Sequence, residues 1–339
     1  MKVVARTDKM GRDEWLEHRR KGIGGSDLSI ILGKSKYRSP FALWADKTGR
    51  VVPDQAGDAA QWGHDLEETV AKRFAKDHNC AVVQWPVLLQ SDLYPFMLAN
   101  LDYLVVEECE EFPAGEITLW DSEEVPSGIL HILEIKTTGI VGRGSGHLWE
   151  KGGVPEGYEL QGHHYSIVTG IKSVIFAGLI AGSGLQVRGR LFNSYEKDME
   201  IIEKESSFWS QVFEDVWSEE PDGSESTLEA IHQIYPSHSE GEVLVADDDL
   251  ESLIQEYRLA RKDLDEAEAY LKEIRSKIEL RIRTAEKVIN AHSQVLLTYR
   301  SNKVRDSFNL KAFRETCPDI YQNFTETVPG SRVLRLGRD

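Results

Sequence analysis

The period of the apolar positions changes several times along this chain, and the changes outline its elements. Leu130 to Thr138 reads as a strand of apolar and β-branched residues with a Thr-Thr-Gly exit. Alternation along it places Ile132, Glu134 and Lys136 on one face. Pro95 to Val106 has the same character, with Asp102 as its one carboxylate. Ala81–Leu89, Lys172–Ala181 and Leu185–Asn193 also read as strands, the first expected to run antiparallel to 95–106. Helical spacing takes over in 62–78, where Leu66, Val70 and Phe74 form an inner stripe and Glu67 lies beside it. Further helices are expected from Asp13, from a cap at Ser26 or Asp27, at 40–49, at 155–170 ending on Gly170, and at 195–217. The last of these is expected to bury Met199, Ile202, Phe208, Val212, Phe213 and Val216. The acidic stretch 107–128 reads as a loop or weak hairpin, and the glycine-rich 139–157 as a mobile loop near a site. Strands interleaved with helices predict an α/β domain, a mixed central sheet flanked by helices.

The run Glu219-Glu220-Pro221-Asp222-Gly223-Ser224-Glu225-Ser226 marks a boundary. The expected division is a domain at 1–222, a linker at 223–247 and a C-terminal region at 248–339. There Leu250, Ile254, Tyr257, Leu264, Ala267, Leu271, Ile274, Ile278 and Ile282 recur at threes and fours. This predicts a long amphipathic, coiled-coil-like helix over about 248–290, covered either within the chain or by a partner or second copy. A strand at 294–300, a short helix at 309–315 and a closing strand at 333–336 complete a small α+β tail.

Composition narrows the function. The chain has 339 residues and a formal net charge of −17, which argues against a general nucleic-acid coat. The charge is uneven: His18, Arg19, Arg20, Lys21, Lys34, Lys36 and Arg38 cluster early, while acids gather at 107–124, 214–225 and 239–251. A basic groove in an acidic body suits an enzyme that holds DNA and then releases it. Cys80, Cys109 and Cys317 are isolated and give neither a disulfide framework nor a metal spacing. No stretch has the apolar length of a membrane helix and the N-terminus lacks a signal-peptide core, so a cytoplasmic location is expected.

Glu134 and Lys136, two apart in an apolar strand, are costly to bury without partners. Such a pair suits a metal-bound phosphate: the carboxylate holds a hard cation and the ammonium faces phosphate charge or the attacking water. A surface ion pair is the alternative. Asp102 converges on Glu134 if its strand pairs with 130–138, and Glu67 offers a third carboxylate. The Lys21-Gly22-Ile23-Gly24-Gly25-Ser26-Asp27 turn feeds a helix N-terminus, either as an ordinary capped turn or as an anion site with Arg19 in front of it. On the 155–170 helix, Leu160, His164 and Ile167 share a face with Gln161 beside them.

Trp15-x-x-x-Arg19, Gly22-Ile23-Gly24-Gly25-Ser26-Asp27 and Ile31-Leu32-Gly33-x-Ser35-x-Tyr37-x-Ser39-Pro40 together resemble the YqaJ-like viral recombinase family. That family belongs with phage lambda exonuclease in the PD-(D/E)xK nuclease superfamily. Gly63-x-x-Leu66-Glu67, Asp102, Glu134-Ile135-Lys136, Tyr158-x-x-Gln161 and Thr169-Gly170 fit the same order, over roughly 10–217. The resemblance implies a restriction-endonuclease-like fold. It also implies a Mg2+-dependent 5′→3′ exonuclease, with Mn2+ as a substitute ion, that resects double-stranded DNA ends. The 3′ single strands would pass to a phage single-strand annealing protein in the bacterial host. It implies Asp102 and Glu134 as metal ligands, joined by the Ile135 carbonyl and, directly or through water, Glu67. Lys136 would orient the water, Gln161 would support the site, and Arg19 and Ser26 would grip the DNA-end phosphate. A cyclic homo-oligomer is implied as well. Leu101 stands where the signature has Pro, His163 stands where relatives often have a second Gln, and the gap from Asp102 to Glu134 is long. The alternatives are an endonuclease of the same fold and a non-catalytic DNA-end-binding or adaptor protein acting through its C-terminal helix.

Overall fold

A computed structural model describes residues 1–52, 57–138, 149, 152–180, 184–328, 330 and 332–337, and it divides into two units, Met1–Tyr235 and Pro236–Asp339. Most of the mobile loop expected at 139–157 lies outside the described residues.

The first unit runs β1 (Lys2–Arg6), α1 (Arg12–Arg20), α2 (Gly25–Ile31), α3 (Pro40–Lys47), α4 (Asp58–His78), β2 (Ala81–Gln84), β3 (Val87–Gln90), β4 (Leu98–Ala99), β5 (Tyr103–Val106), β6 (Ile117–Leu119), β7 (Ile129–Thr138), α5 (Glu156–Thr169), β8 (Ser173–Ile180), β9 (Gly184–Leu191), α6 (Tyr195–Phe213) and α7 (Glu225–Ile234). Six strands form the main sheet in the order β6-β2-β5-β7-β8-β9. The β2/β6 and β7/β8 pairs are parallel and the others antiparallel, so the sheet is mixed. A smaller sheet joins β1, β3 and β4.

Alternation on β7 sets the layers. Ile132 packs with Leu104, Val174, Phe176 and the α5 residues Tyr165 and Val168. Leu133 and Ile135 point the other way, against Val70, Ala71 and Phe74 of α4. The central strands are thus covered on both faces, which is why they read as near-continuous apolar runs.

Several expectations need correction. The stretch 81–89 is two strands, because Pro86 has no N–H to continue a ladder. Its partner 95–106 splits likewise into β4 and β5, each antiparallel to one half. The acidic stretch 107–128 is more than a loop: β6 closes the sheet edge on β2, and Phe112 is fully buried against Trp120. On α6 the buried apolar residues are Ile201, Ile202 and Phe208, whereas Met199 and Phe213 are exposed and Val216 lies beyond the helix end.

The expected linker 223–247 begins with a packed helix. Ser226 Oγ accepts from the Ser39 N–H at 2.9 Å, Thr227 Oγ1 donates to Ser39 Oγ at 2.7 Å, and Ala230 is buried with Leu43, Trp44 and Phe208. Those contacts carry the first unit past residue 222 to Tyr235.

The second unit holds α8 (Asp248–Ile282), β10 (Lys287–Ile289), β11 (Val295–Thr298), α9 (Leu310–Thr316) and α10 (Pro318–Asn323). The long helix ends at Ile282 rather than 290, and the following residues pair as a hairpin, β10 with β11. Residues 333–336 form no strand, and α10, with Pro318 at its first turn, was not anticipated. No helix among the described residues is long and apolar enough to cross a membrane.

Candidate active site

The central sheet brings the two sequence-distant acids together. Tyr103 pairs with Leu133, which sets Asp102 against Glu134 where β5 begins. Asp102 Oδ2 accepts the Ile135 backbone N–H at 2.8 Å, which holds its carboxylate beside the residue that follows Glu134. Glu134 is fully buried. Its Oε1 accepts from Lys136 Nζ and from Gln161 Nε2, each at 2.6 Å, while its Oε2 finds no donor. Gln161 Nε2 also donates to Tyr165 Oη at 2.8 Å, and Tyr165 in turn donates to the Asn100 carbonyl at 2.9 Å. The Lys136 ammonium lies 5.1 Å from the Tyr158 ring centroid. Glu67, on α4, is bonded to His64 Nδ1 at 3.2 Å.

The charges on these acids oppose one another. Burial, followed by the Asp102 charge, pushes Glu134 up to about 8. Burial and Asp102 likewise push Glu67 up to about 7. Burial raises Asp102 too, against the pull of Lys136 and the Ile135 N–H. Burial alone would lower Lys136, but Glu134 and Asp102 hold it above its ordinary value. One ammonium serves three acids, which is the electrostatic setting of a cation site. The donor set fits a hard divalent ion: carboxylate oxygens, one of them buried and unpartnered. Among the described residues no three His, Cys, Asp or Glu side chains already stand as a ready cage. Glu67 bonds His64 instead of joining the Asp102–Glu134 pair.

The glycine turn adjoins this centre. Added Cβ atoms would lie 2.6 Å from the Phe96 carbonyl at Gly22 and 2.6 Å from the Tyr165 ring at Gly25, so close packing requires glycine at both. Arg19 Nη2 reaches Ser26 Oγ at 3.3 Å and Asp27 Oδ1 at 3.2 Å, and its guanidinium lies 4.8 Å from the Trp15 ring. A cavity of about 180 Å³ joins Arg19 and Ser26 to Asn100, Asp102 and Tyr165. The structure therefore brings Asp102, Glu134, Lys136 and Gln161 together beside Arg19 and Ser26, whereas Glu67 turns to His64 and the other two histidines bond elsewhere. His163 bonds Asp198 at 2.6 Å; His164 bonds Glu205 at 2.7 Å and the Leu98 carbonyl at 2.8 Å.

Sequence reasoning missed Lys47 and Tyr165. Lys47 is buried and joins Asp27 at 2.7 Å while capping the Arg19 and Gly22 carbonyls at 2.9 and 2.7 Å. Burial would raise the Asp27 carboxyl, but Lys47 and Arg19 outweigh it and hold Asp27 well below the usual carboxylate range. The available signals were positional: Lys47 follows Leu43 by four on an apolar helix, and Tyr165 follows Gln161 by four.

A mixed sheet covered by helices thus carries two carboxylates and a lysine at its centre, beside an Arg–Ser turn. The chain belongs to the YqaJ-like viral recombinase family: the YqaJ-like viral recombinase domain matches residues 14–172. It is 31% identical over 328 residues to the uncharacterized protein YqaJ of Bacillus subtilis (strain 168), across 94% of this chain and 92% of that one. Solved structures give a partial likeness. The alkaline exonuclease LHK-Exo from Laribacter hongkongensis is 17% identical, with a TM-score of 0.45, over 60% of this chain and 93% of that one. A phage-related exonuclease from Haemophilus somnus 129PT is 11% identical, with a TM-score of 0.40, over 57% and 94%.

Proposed function

We propose that this protein is a divalent-metal-dependent 5′→3′ exonuclease that resects double-stranded DNA ends and leaves 3′ single strands for recombination by annealing. The observation that carries the reading is the meeting of Asp102, Glu134 and Lys136, with Glu134 Oε1 taken by Lys136 and Oε2 left unpartnered, next to the cavity that Arg19 and Ser26 line. Asp102, Glu134 and the Ile135 carbonyl would hold the ion, Mg2+ or Mn2+, with Glu67 completing the set. When bound, the ion supplies positive charge to the phosphate and lowers the pKa of water.

The chain's own residues do the rest. Arg19 and Ser26 hold the 5′-terminal phosphate, which fixes where the next phosphodiester lies. Lys136 orients the water and stabilises charge on the phosphorane oxygens. Water adds to phosphorus, the P–O3′ bond breaks, and the products are a 5′-nucleotide and a strand with a new 5′-phosphate. Gln161 keeps Glu134 in its rotamer, and Tyr165 ties Gln161 to Asn100.

Family membership supports a role in phage recombination inside a bacterial cytoplasm, with a single-strand annealing protein as partner and a cyclic homo-oligomer as the working form. The test is digestion of linear duplex labelled at the 5′ or the 3′ end, with a circular duplex as control. Metal-dependent early release of the 5′ label, with the circle intact, is the expected result. Cutting of the circle would replace this reading with an endonuclease, and no cutting by folded protein would leave a DNA-end-binding role.

A further inference from the structure

A second and larger cavity of about 850 Å³ lies beside the first, and none of the roles above uses it. Its size falls in the range of ligand pockets. It shares Trp15 and Arg19 with the end-phosphate cavity and reaches His64, the residue bonded to Glu67. A strand lying at Arg19 therefore has open space to continue into.

The wall is basic in a chain of net charge −17. Arg20 and Arg38 both bind the single Asp46 carboxylate, at 3.5 and 2.8 Å, so this triad carries an excess positive charge. Arg19 and Lys47 share Asp27 in the same way, at 3.2 and 2.7 Å, which gives a second triad of the same sign. Arg12, Asp65 and Glu229 also border the cavity, and along its wall basic groups outnumber acidic ones. Aromatic faces accompany the charge. Trp15 stands under Arg19, and Tyr37 is 92% exposed at the wall.

A positive groove with aromatic platforms matches single-stranded nucleic acid, whose phosphates seek cations and whose unstacked bases seek ring faces. A duplex has its bases already stacked and offers no free faces. We propose that this cavity receives the unpaired 5′ extension of a DNA end, so that 5′-extended ends are bound and processed as well as blunt ones. The proposal rests on the DNA-end reading of Arg19 and Ser26: on a blunt end they hold the 5′-terminal phosphate, and on an extended end they hold the phosphate at the junction, so that the first cut frees the extension as an oligonucleotide.

The test uses the full chain and 5′-phosphorylated duplexes that are blunt or carry a short 5′ oligo-dT extension, with 2-aminopurine at the first unpaired position. Binding is read in EDTA and digestion in Mg2+. The extension should tighten binding by about tenfold, the worth of one well-stacked base, and should quench the 2-aminopurine. Tyr37→Ala, at an exposed position, should remove the quenching, and Arg12→Glu with Tyr37→Ala should slow digestion of extended ends about tenfold while leaving blunt ends unchanged. Equal affinity for blunt and extended ends would overturn the proposal. So would a variant that slows both ends alike, since the cavity would then hold the strand approaching from the duplex. Loss of all cleavage with extension-dependent binding intact would sink the exonuclease reading and leave this one standing.

Discussion

Gln161 donates to Glu134 at 2.6 Å, on the same oxygen that Lys136 reaches. A helix residue and a strand residue 27 positions apart are thus fixed to each other in the middle of the site. Gln161→Leu should leave Glu134 Oε1 with one donor and its carboxylate less well oriented. Cleavage should fall about 10–100-fold, as for other supports of metal ligands, with DNA affinity unchanged. Single-turnover digestion beside anisotropy binding separates the two. A variant with full rate would show that Gln161 only packs.

Lys136→Ala should remove charge stabilisation from the reacting phosphate and lower the cleavage rate by at least about a hundredfold. Folding, followed by circular dichroism, and binding to a DNA end in EDTA should both persist. Wild-type turnover in this variant would sink the active-site assignment.

Metal should stabilise the fold, because it answers three mutually repelling acids. At a hundredfold excess over Kd the gain is about 2.7 kcal/mol, a rise in Tm of roughly 5–10 °C for a unit of this size. Glu134→Gln should abolish the rise, since it removes the carboxylate that would face the ion. Scanning calorimetry with Mg2+, Mn2+ and EDTA decides this. A metal-induced shift that survives the substitution would place the ion elsewhere.

The buried Asp27–Lys47 pair should matter for stability. Lys47→Met leaves Asp27 with the Gly24 N–H and the partly exposed Arg19 as its counter-charge, and should cost about 3–5 kcal/mol in chemical denaturation. The pH dependence follows from the sign of the Asp27 shift. Its carboxyl ionises more readily folded than unfolded, so its contribution is complete above the usual carboxylate range and is lost as the pH falls through that range toward the lower folded value. The stability gap between wild type and Asp27→Asn should therefore narrow from neutral pH toward pH ~3. A gap that stays constant would remove the pair from the acid response.

Truncation should distinguish the two domain boundaries. A chain ending at Tyr235 should retain the cooperative unfolding of the first unit. One ending at Asp222 should lose Thr227 and Ala230 from the α3 contact, at a cost of about 2–5 kcal/mol for the exposed core face. Equal stability of the two would support the earlier boundary.

The family and the order of its motifs were legible because they are local. Alternation puts Glu134 and Lys136 on one face of β7 whatever its neighbours, and helical spacing puts Glu67 beside the stripe of Val70 and Phe74 that packs on the sheet. The glycine turn was legible as a turn. Its reason was not, because what fills the space at Gly25 is Tyr165, some 140 positions away along the chain.

The errors share that cause. Met199 and Phe213 have the period of a buried stripe, yet which arc of α6 faces inward depends on what lies across from it. The stretch 223–247 has a linker's composition, yet Ser39 offers Ser226 and Thr227 their hydrogen bonds and Ala230 finds an apolar seat. By itself the sequence determined most strands of the main sheet, most of the helices and the set of acids with one lysine, since period and residue type depend only on neighbours in the chain. The tertiary structure alone decided that Asp102 meets Glu134, that Lys47 is buried under Asp27, and that a basic cavity opens beside Arg19. Those facts depend on strand register and helix packing between residues far apart in sequence, and on a balance of burial against charge that is set only once the partners are in place.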